Sequence, residues 1–138
     1  MMDGPGRIAF VTYCAAAKRP DPGLLPAAER YLSDRISRVG SAAAVLGYPF
    51  FILSGKFGLL APLDPIPDYD HLLTGGEVQD HARRVADRII ELGLATVLFF
   101  SRPLDVDPGA GPYRRAAAEA CRLAGVEFKL VEWNGSSS

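Results

Sequence analysis

A chain of 138 residues suffices for one hydrophobic core and is too short for two. Apolar residues make up 49% and charged residues 22%, with a mean hydropathy of +0.10, which excludes disorder of the polar, highly charged kind. Fifteen basic against sixteen acidic residues leave a net charge of −1, so no overall positive field draws the chain to nucleic acid or to an anionic membrane.

In chain order, the first residues lack a basic region followed by an apolar run. No later apolar stretch nears the roughly 18 residues of a membrane-spanning helix, so the expected compartment is the cytoplasm, with no membrane contact. Apolar runs at Arg7–Tyr13, 49–54, 95–101 and 126–132 read as strands. Each is rich in Val, Ile, Phe or Tyr and largely non-alternating, as strands covered on both faces should be. Between the first two, Ala28, Leu32, Ile36, Val39, Ala43 and Leu46 step at helical spacing, with Pro26 suited to a first turn, Gly47 to a cap, and Gly40-Ser41 a point where the helix divides. Thr74 and Glu77 have capping-box spacing before the stripe Val78, Ala82, Val85, Ile89 and Leu92, whose opposite face carries Arg83, Arg84 and Arg88. A last helix runs from Pro112 to a cap at Gly125. Cys14 and Cys121 are too few for a disulfide framework and read as free thiols.

This order predicts an α/β fold. It is a single three-layer domain over residues 1–133, with a central, mostly parallel sheet of about four strands, helices on both faces, and a disordered tail over 134–138. Such sheets bind ligands beyond the carboxyl ends of their strands. That rule selects the loops at 14–24, 55–76 and 102–111.

In the first loop Cys14 ends a strand and Lys18 follows four residues on. The pair reads either as a thiol activated by a nearby ammonium or as a small residue closing the strand beside a solvated base. The second loop carries Ser54-Gly55-Lys56-Phe57-Gly58, whose glycines admit close backbone approach and whose hydroxyl and cation suit an anion. It is not a Walker A loop, and no Gly-x-Gly-x-x-Gly follows any strand, so nothing calls for a nucleotide cofactor. Asp64, Asp68, Asp70 and His71 fit no recognised metal loop, and turn chemistry accounts for Asp beside Pro, so no metal is expected. His81, on a helix, reads as a surface or capping residue. Cys121, in an Ala-rich helix, reads as packing. The third loop offers Ser101 and Arg102 at a strand end and Tyr113-Arg114 at a helix start, where an Arg suits phosphate or carboxylate.

The run Leu53-Ser54-Gly55-Lys56-Phe57-Gly58-Leu59-Leu60, followed by Pro62-Leu63-Asp64, Ile66 and Tyr69, resembles the signature of the YaaA peroxide-stress family. Asp68 stands where that family tends to have Pro and Asp70 where it tends to have Arg, and the chain is about half the family's length. Cys14-x-x-x-Lys18 is similar to part of a motif in the C-terminal catalytic module of archaeosine synthase, although Arg19-Pro20 follows and the module's His has no counterpart. The combination resembles small, poorly characterised bacterial proteins related to both groups.

The expected function is a small enzyme acting on a nucleobase, nucleotide or modified nucleoside by transfer or N-glycoside-type chemistry. Cys14 serves as nucleophile or ligand contact, Lys18 and Lys56 stabilise negative charge, Ser54 joins them, and Asp64 or Asp70 is a general base or ribose contact. Tyr13, Gly55, Phe57, Gly58, Tyr69, Ser101, Arg102, Tyr113 and Arg114 bind the ligand, a small anionic or nucleotide-like molecule. One alternative is a nucleic-acid-binding stress protein using the patch Arg83, Arg84 and Arg88. Another is a non-catalytic small-ligand-binding domain or partner subunit, the positive mean hydropathy fitting a homodimer with an apolar face.

Overall fold

The run Arg7–Tyr13 forms strand β1, and its burial follows from its neighbours on both sides. It pairs in parallel with β3 (Phe50–Ser54) on one side and with β6 (Leu94–Ser101) on the other. Strand β7 (Glu127–Glu132) adds in parallel to β6, and β4 (Gly58–Leu60) turns back antiparallel on β3, giving five strands in the order β4-β3-β1-β6-β7. The computed structural model describes residues 7–134. The tail expected over 134–138 therefore lies outside the described residues except for Asn134.

Alternation along the strands divides the core into two layers. Phe10, Phe50, Leu98 and Phe100 face α2 (Asp34–Leu46), packing with its Val39 and Ala43. Val11, Leu53, Val97 and Phe99 face α3 (Val78–Glu91) and α4 (Ala110–Ala124), which also pack on each other. Helices thus cover both faces of a mostly parallel sheet. Among the described residues no helix is long and apolar enough to cross a membrane.

Two segments depart from the expected pattern. The helix expected from Pro26 to Gly47 breaks at Tyr31, not at Gly40-Ser41. Ala27–Arg30 forms a single turn, α1; Tyr31 is extended (φ −83°, ψ 128°) and bridges Lys18; Ser33 then caps α2 by accepting the Ile36 N–H at 3.2 Å. Gly40 stays helical for a packing reason, since a Cβ there would lie 3.0 Å from the Phe50 ring. The loop expected over 55–76 is also partly structured. Beyond β4, β5 (Pro65–Ile66) pairs antiparallel with β2 (Leu25–Pro26). The buried Arg30 guanidinium donates to the carbonyls of Arg19, Asp21, Gly23 and Ile66, fastening the segment after β1 to β5.

From β1 the chain runs through α2 to β3 on one side; from α3 it enters β6 on the other, with α4 on the opposite face. The loops leaving β1 and β6 therefore part between these neighbouring strands. A crevice at such a reversal is where open α/β sheets take their ligands.

Candidate functional site

A cleft of about 340 Å³ opens at the carboxyl ends of β1 and β6, between the first turns of α2 and α4. Cys14, the residue after β1, lies on its floor and is only 6% exposed. Its N–H donates to the Leu53 carbonyl at 2.9 Å, extending the β1–β3 ladder by one rung. The thiol meets the Tyr113 hydroxyl at 3.4 Å. That hydroxyl also accepts the Leu73 N–H at 3.1 Å. Gly55 makes this geometry possible, because a Cβ there would stand 2.9 Å from the Tyr113 hydroxyl and 3.0 Å from the Leu73 nitrogen. The thiol is the donor in its contact with Tyr113, and burial, then the neighbouring Cys14, raises the Tyr113 pKa, so its phenol keeps its proton.

Behind Cys14 lies a second group of hydroxyls. The Ser54 Oγ accepts the N–H groups of Lys56 (3.2 Å) and Phe57 (3.0 Å) and lies 2.9 Å from the Tyr69 hydroxyl. With both lone pairs engaged, the serine proton is the one shared with Tyr69. Tyr69 in turn bonds the Tyr31 hydroxyl. Burial, then Cys14, pushes the Tyr31 pKa up to about 12 and raises that of Tyr69 as well. Lys18 Nζ stands 4.4 Å from the Tyr69 ring centre, within cation–π range, while the exposed Lys56 places its Nζ 5.5 Å from the Phe57 ring and 6.0 Å from that of Tyr69. Phe57 meets Tyr69 edge-on at 5.0 Å. Gly58, at φ +76°, supplies the left-handed residue that turns the chain from Ser54 into β4.

His81 corrects the expectation of a surface or capping residue. It is 1% exposed, and its Nε2 donates to the Ser54 carbonyl at 2.8 Å, which leaves Nδ1 unprotonated and without a partner. Burial lowers its pKa, more than the Ser54 bond raises it. The histidine thus holds the Ser54–Gly55 corner against α3.

The other end of the cleft is cationic. Arg35, in the first turn of α2, stacks 3.6 Å over the Tyr13 ring. It donates to Thr12 Oγ1 and the Tyr13 carbonyl, each at 2.6 Å, and to the Cys14 carbonyl at 3.2 Å. Arg102 lines the same wall and makes no ion pair among the described residues. The Tyr13 hydroxyl donates to Asp107 at 2.7 Å and receives the Arg102 N–H at 3.4 Å. Burial is the main reason its pKa is raised; Asp107 raises it further and Arg35 opposes. Arg35, Asp107 and Tyr31 are absent from the sequence-based site. Ser33 was the available signal for Arg35, since a cap there places position 35 in the first turn, facing the strand end.

The remaining expected site residues stand apart. Asp64 accepts the Ala61 N–H at 2.8 Å and closes a turn. Asp70 is exposed and hydrogen-bonds to no described residue. Ser101 donates to the Arg102 carbonyl and accepts from Arg114, which also reaches Glu132, so this pair ties β6 to β7 outside the cleft lining. His71 pairs with Glu77 at 2.9 Å, and among the described residues no three His, Cys, Asp or Glu side chains converge as metal ligands. No protein-family model, curated protein or solved structure matches the chain.

Proposed function

We propose that the protein is a small enzyme that binds a nucleobase, nucleotide or modified nucleoside in the cleft between β1 and β6, with Cys14 as the group that meets the reacting atom. One observation carries this reading. A thiol sits on the floor of a cleft at the reversal of strand order, in contact with a phenol that keeps its proton. In this reading Tyr113 stabilises the sulfur anion, and Lys18 and Lys56 lend positive charge from behind Tyr69. Asp64 and Asp70 drop out as bases because neither reaches this group. The resemblances to the YaaA family and to the archaeosine synthase module support nucleotide-related chemistry and are part of the same proposal.

A thermal-shift screen of nucleobases, nucleosides and nucleotides, run on the wild type and on Cys14→Ala, tests it. At least one compound should stabilise the wild type, and turnover of that compound should vanish in Cys14→Ala. Turnover retained in the variant, or no stabilising compound, overturns the reading.

A second reading is a ligand-binding domain without catalysis. It is favoured by the fact that no carboxylate or imidazole bonds the Cys14 thiol among the described residues. Binding without any turnover would select it. Nucleic-acid binding through the α3 arginines has less support, because Arg83 pairs with Asp80 at 2.9 Å and Arg88 with Glu91 at 3.4 Å, which cancels much of the patch.

A further inference from the structure

Two guanidinium groups, those of Arg30 and Arg35, are buried without a counter-ion among the described residues, and of the two it is Arg35 that lines the cleft. The residue is 5% exposed, yet its hydrogen bonds run only to neutral oxygens, those of Thr12, Tyr13 and Cys14. Among the described residues no carboxylate touches it and its Nε has no partner. A buried charge without a counter-ion is costly, and Asp107, the nearby carboxylate, is held by the Tyr13 hydroxyl instead. Burial lowers the Arg35 pKa, while Asp107 pulls the other way without contact.

Two further features converge on the same wall. Ser33 and Arg35, at the start of the 13-residue helix α2, line the cleft, so the positive end of that helix opens onto it. Ser33 occupies the Ile36 amide, and the Asp34 and Arg35 amides bond no described group. The Asp34 carboxylate turns to Arg38 at 3.0 Å. Arg102 also lines the cleft and makes no ion pair among the described residues.

We propose that this wall is a phosphate subsite: the first turn of α2, Arg35 and Arg102 hold the phosphate of a nucleoside monophosphate, and Asp107 meets a sugar hydroxyl. This rests on the nucleotide reading of the cleft and names the form of the ligand. Guanidinium groups suit phosphate oxygens, and the incoming anion supplies the charge that Arg35 lacks. The Asp107 oxygen not bonded by Tyr13 has no partner among the described residues and can accept from a hydroxyl. Because Arg35 also bonds the Cys14 carbonyl, a phosphate seated there leaves the attached sugar beside the Cys14 thiol. The volume of about 340 Å³ lies at the small end of the roughly 300–1,000 Å³ usual for ligand sites, which suits one nucleotide and not a dinucleotide.

Calorimetric titration of the four common nucleoside 5′-monophosphates, their nucleosides and inorganic phosphate tests the assignment. At least one monophosphate should bind the wild type about tenfold or more tightly than its nucleoside, as one charge-assisted contact provides. Arg102→Gln, a change at a partly exposed position, should weaken monophosphate binding and so remove that preference. Inorganic phosphate should compete with the monophosphate, and Arg35→Lys, if folded by circular dichroism, should weaken it too. Equal binding of nucleoside and monophosphate, an unchanged preference in Arg102→Gln, or no binding by any of these probes overturns the subsite. The two proposals fail separately. Nucleosides turned over in a Cys14-dependent way with no phosphate preference would sink the subsite alone, whereas Arg102-dependent monophosphate binding without turnover would sink the enzyme reading alone.

Discussion

Gly55→Ala is the sharpest structural test of how the site is assembled. Gly55 does not lie in the left-handed region, so an alanine there meets no backbone strain. Freed of its surroundings, the change should stabilise by about 0.4–1 kcal/mol through the unfolded chain. The surroundings oppose it. The new Cβ would stand 2.9 Å from the Tyr113 hydroxyl, 3.0 Å from the Leu73 nitrogen and 3.4 Å from the His71 carbonyl, and two of these are backbone atoms that cannot swing aside. Overpacking of this kind costs about 1–3 kcal/mol, and parting Tyr113 from the buried Leu73 amide adds roughly 1 kcal/mol or more. The net expectation is a loss of about 2–3 kcal/mol, read as a lower urea midpoint at unchanged slope. Tyr113→Phe removes the nearest of the three atoms, so the alanine should cost less in that background, a coupling a double-mutant cycle resolves. A neutral or stabilising Gly55→Ala, or fully additive effects, would refute the packing argument.

Other consequences follow from buried polar groups. His81 is neutral when folded and has a lowered pKa, while the unfolded chain takes up a proton near the ordinary value of about 6.5. Its contribution is therefore fully present above that value and declines as the pH falls towards the lowered one; urea midpoints should drop between pH 7.5 and 5, and His81→Asn should flatten that slope. Arg30→Met strips a buried donor set from the carbonyls of Arg19, Asp21, Gly23 and Ile66 and should cost about 3–5 kcal/mol by denaturant titration. Proteolysis should then begin within residues 14–24; a variant as stable as the wild type would remove the fastening role. Ser54→Ala leaves the Lys56 and Phe57 amides without their acceptor and Tyr69 with the Tyr31 hydroxyl alone, and should cost about 1–3 kcal/mol by the same titration.

The sheet was legible because its inner strands are covered on both faces, which makes runs such as Ala9–Tyr13 almost wholly apolar, with Thr12 the exception. The two-residue strands β2 and β5 were not, since so short a span carries no period. The break at Tyr31 was hidden by apolar spacing that continues through it; the exposed Leu32 shows that the stripe does not correspond to one helix face there. His81 was legible in principle. It falls three residues after Val78 and one before Ala82, on the buried side of α3 that its polarity obscured. For the site, strand ends placed Cys14 and Ser54 and a helix start placed Tyr113, because element boundaries are set by local sequence. Asp64 and Asp70 lie on a loop whose path depends on long-range bonds, such as Arg30 to Ile66, that no local pattern encodes.

The central claim, a thiol that a ligand meets in the cleft, is tested most directly by mass-spectrometric alkylation of the folded protein. Cys14 lines the cleft, whereas Cys121 is buried on α4 with burial pushing its thiol up to about 12. The account predicts that iodoacetamide modifies Cys14 first and that a saturating nucleoside monophosphate slows this reaction without affecting Cys121. Equal reactivity of the two thiols, or modification of Cys14 at the same rate with every nucleobase, nucleoside and nucleotide present, would contradict it.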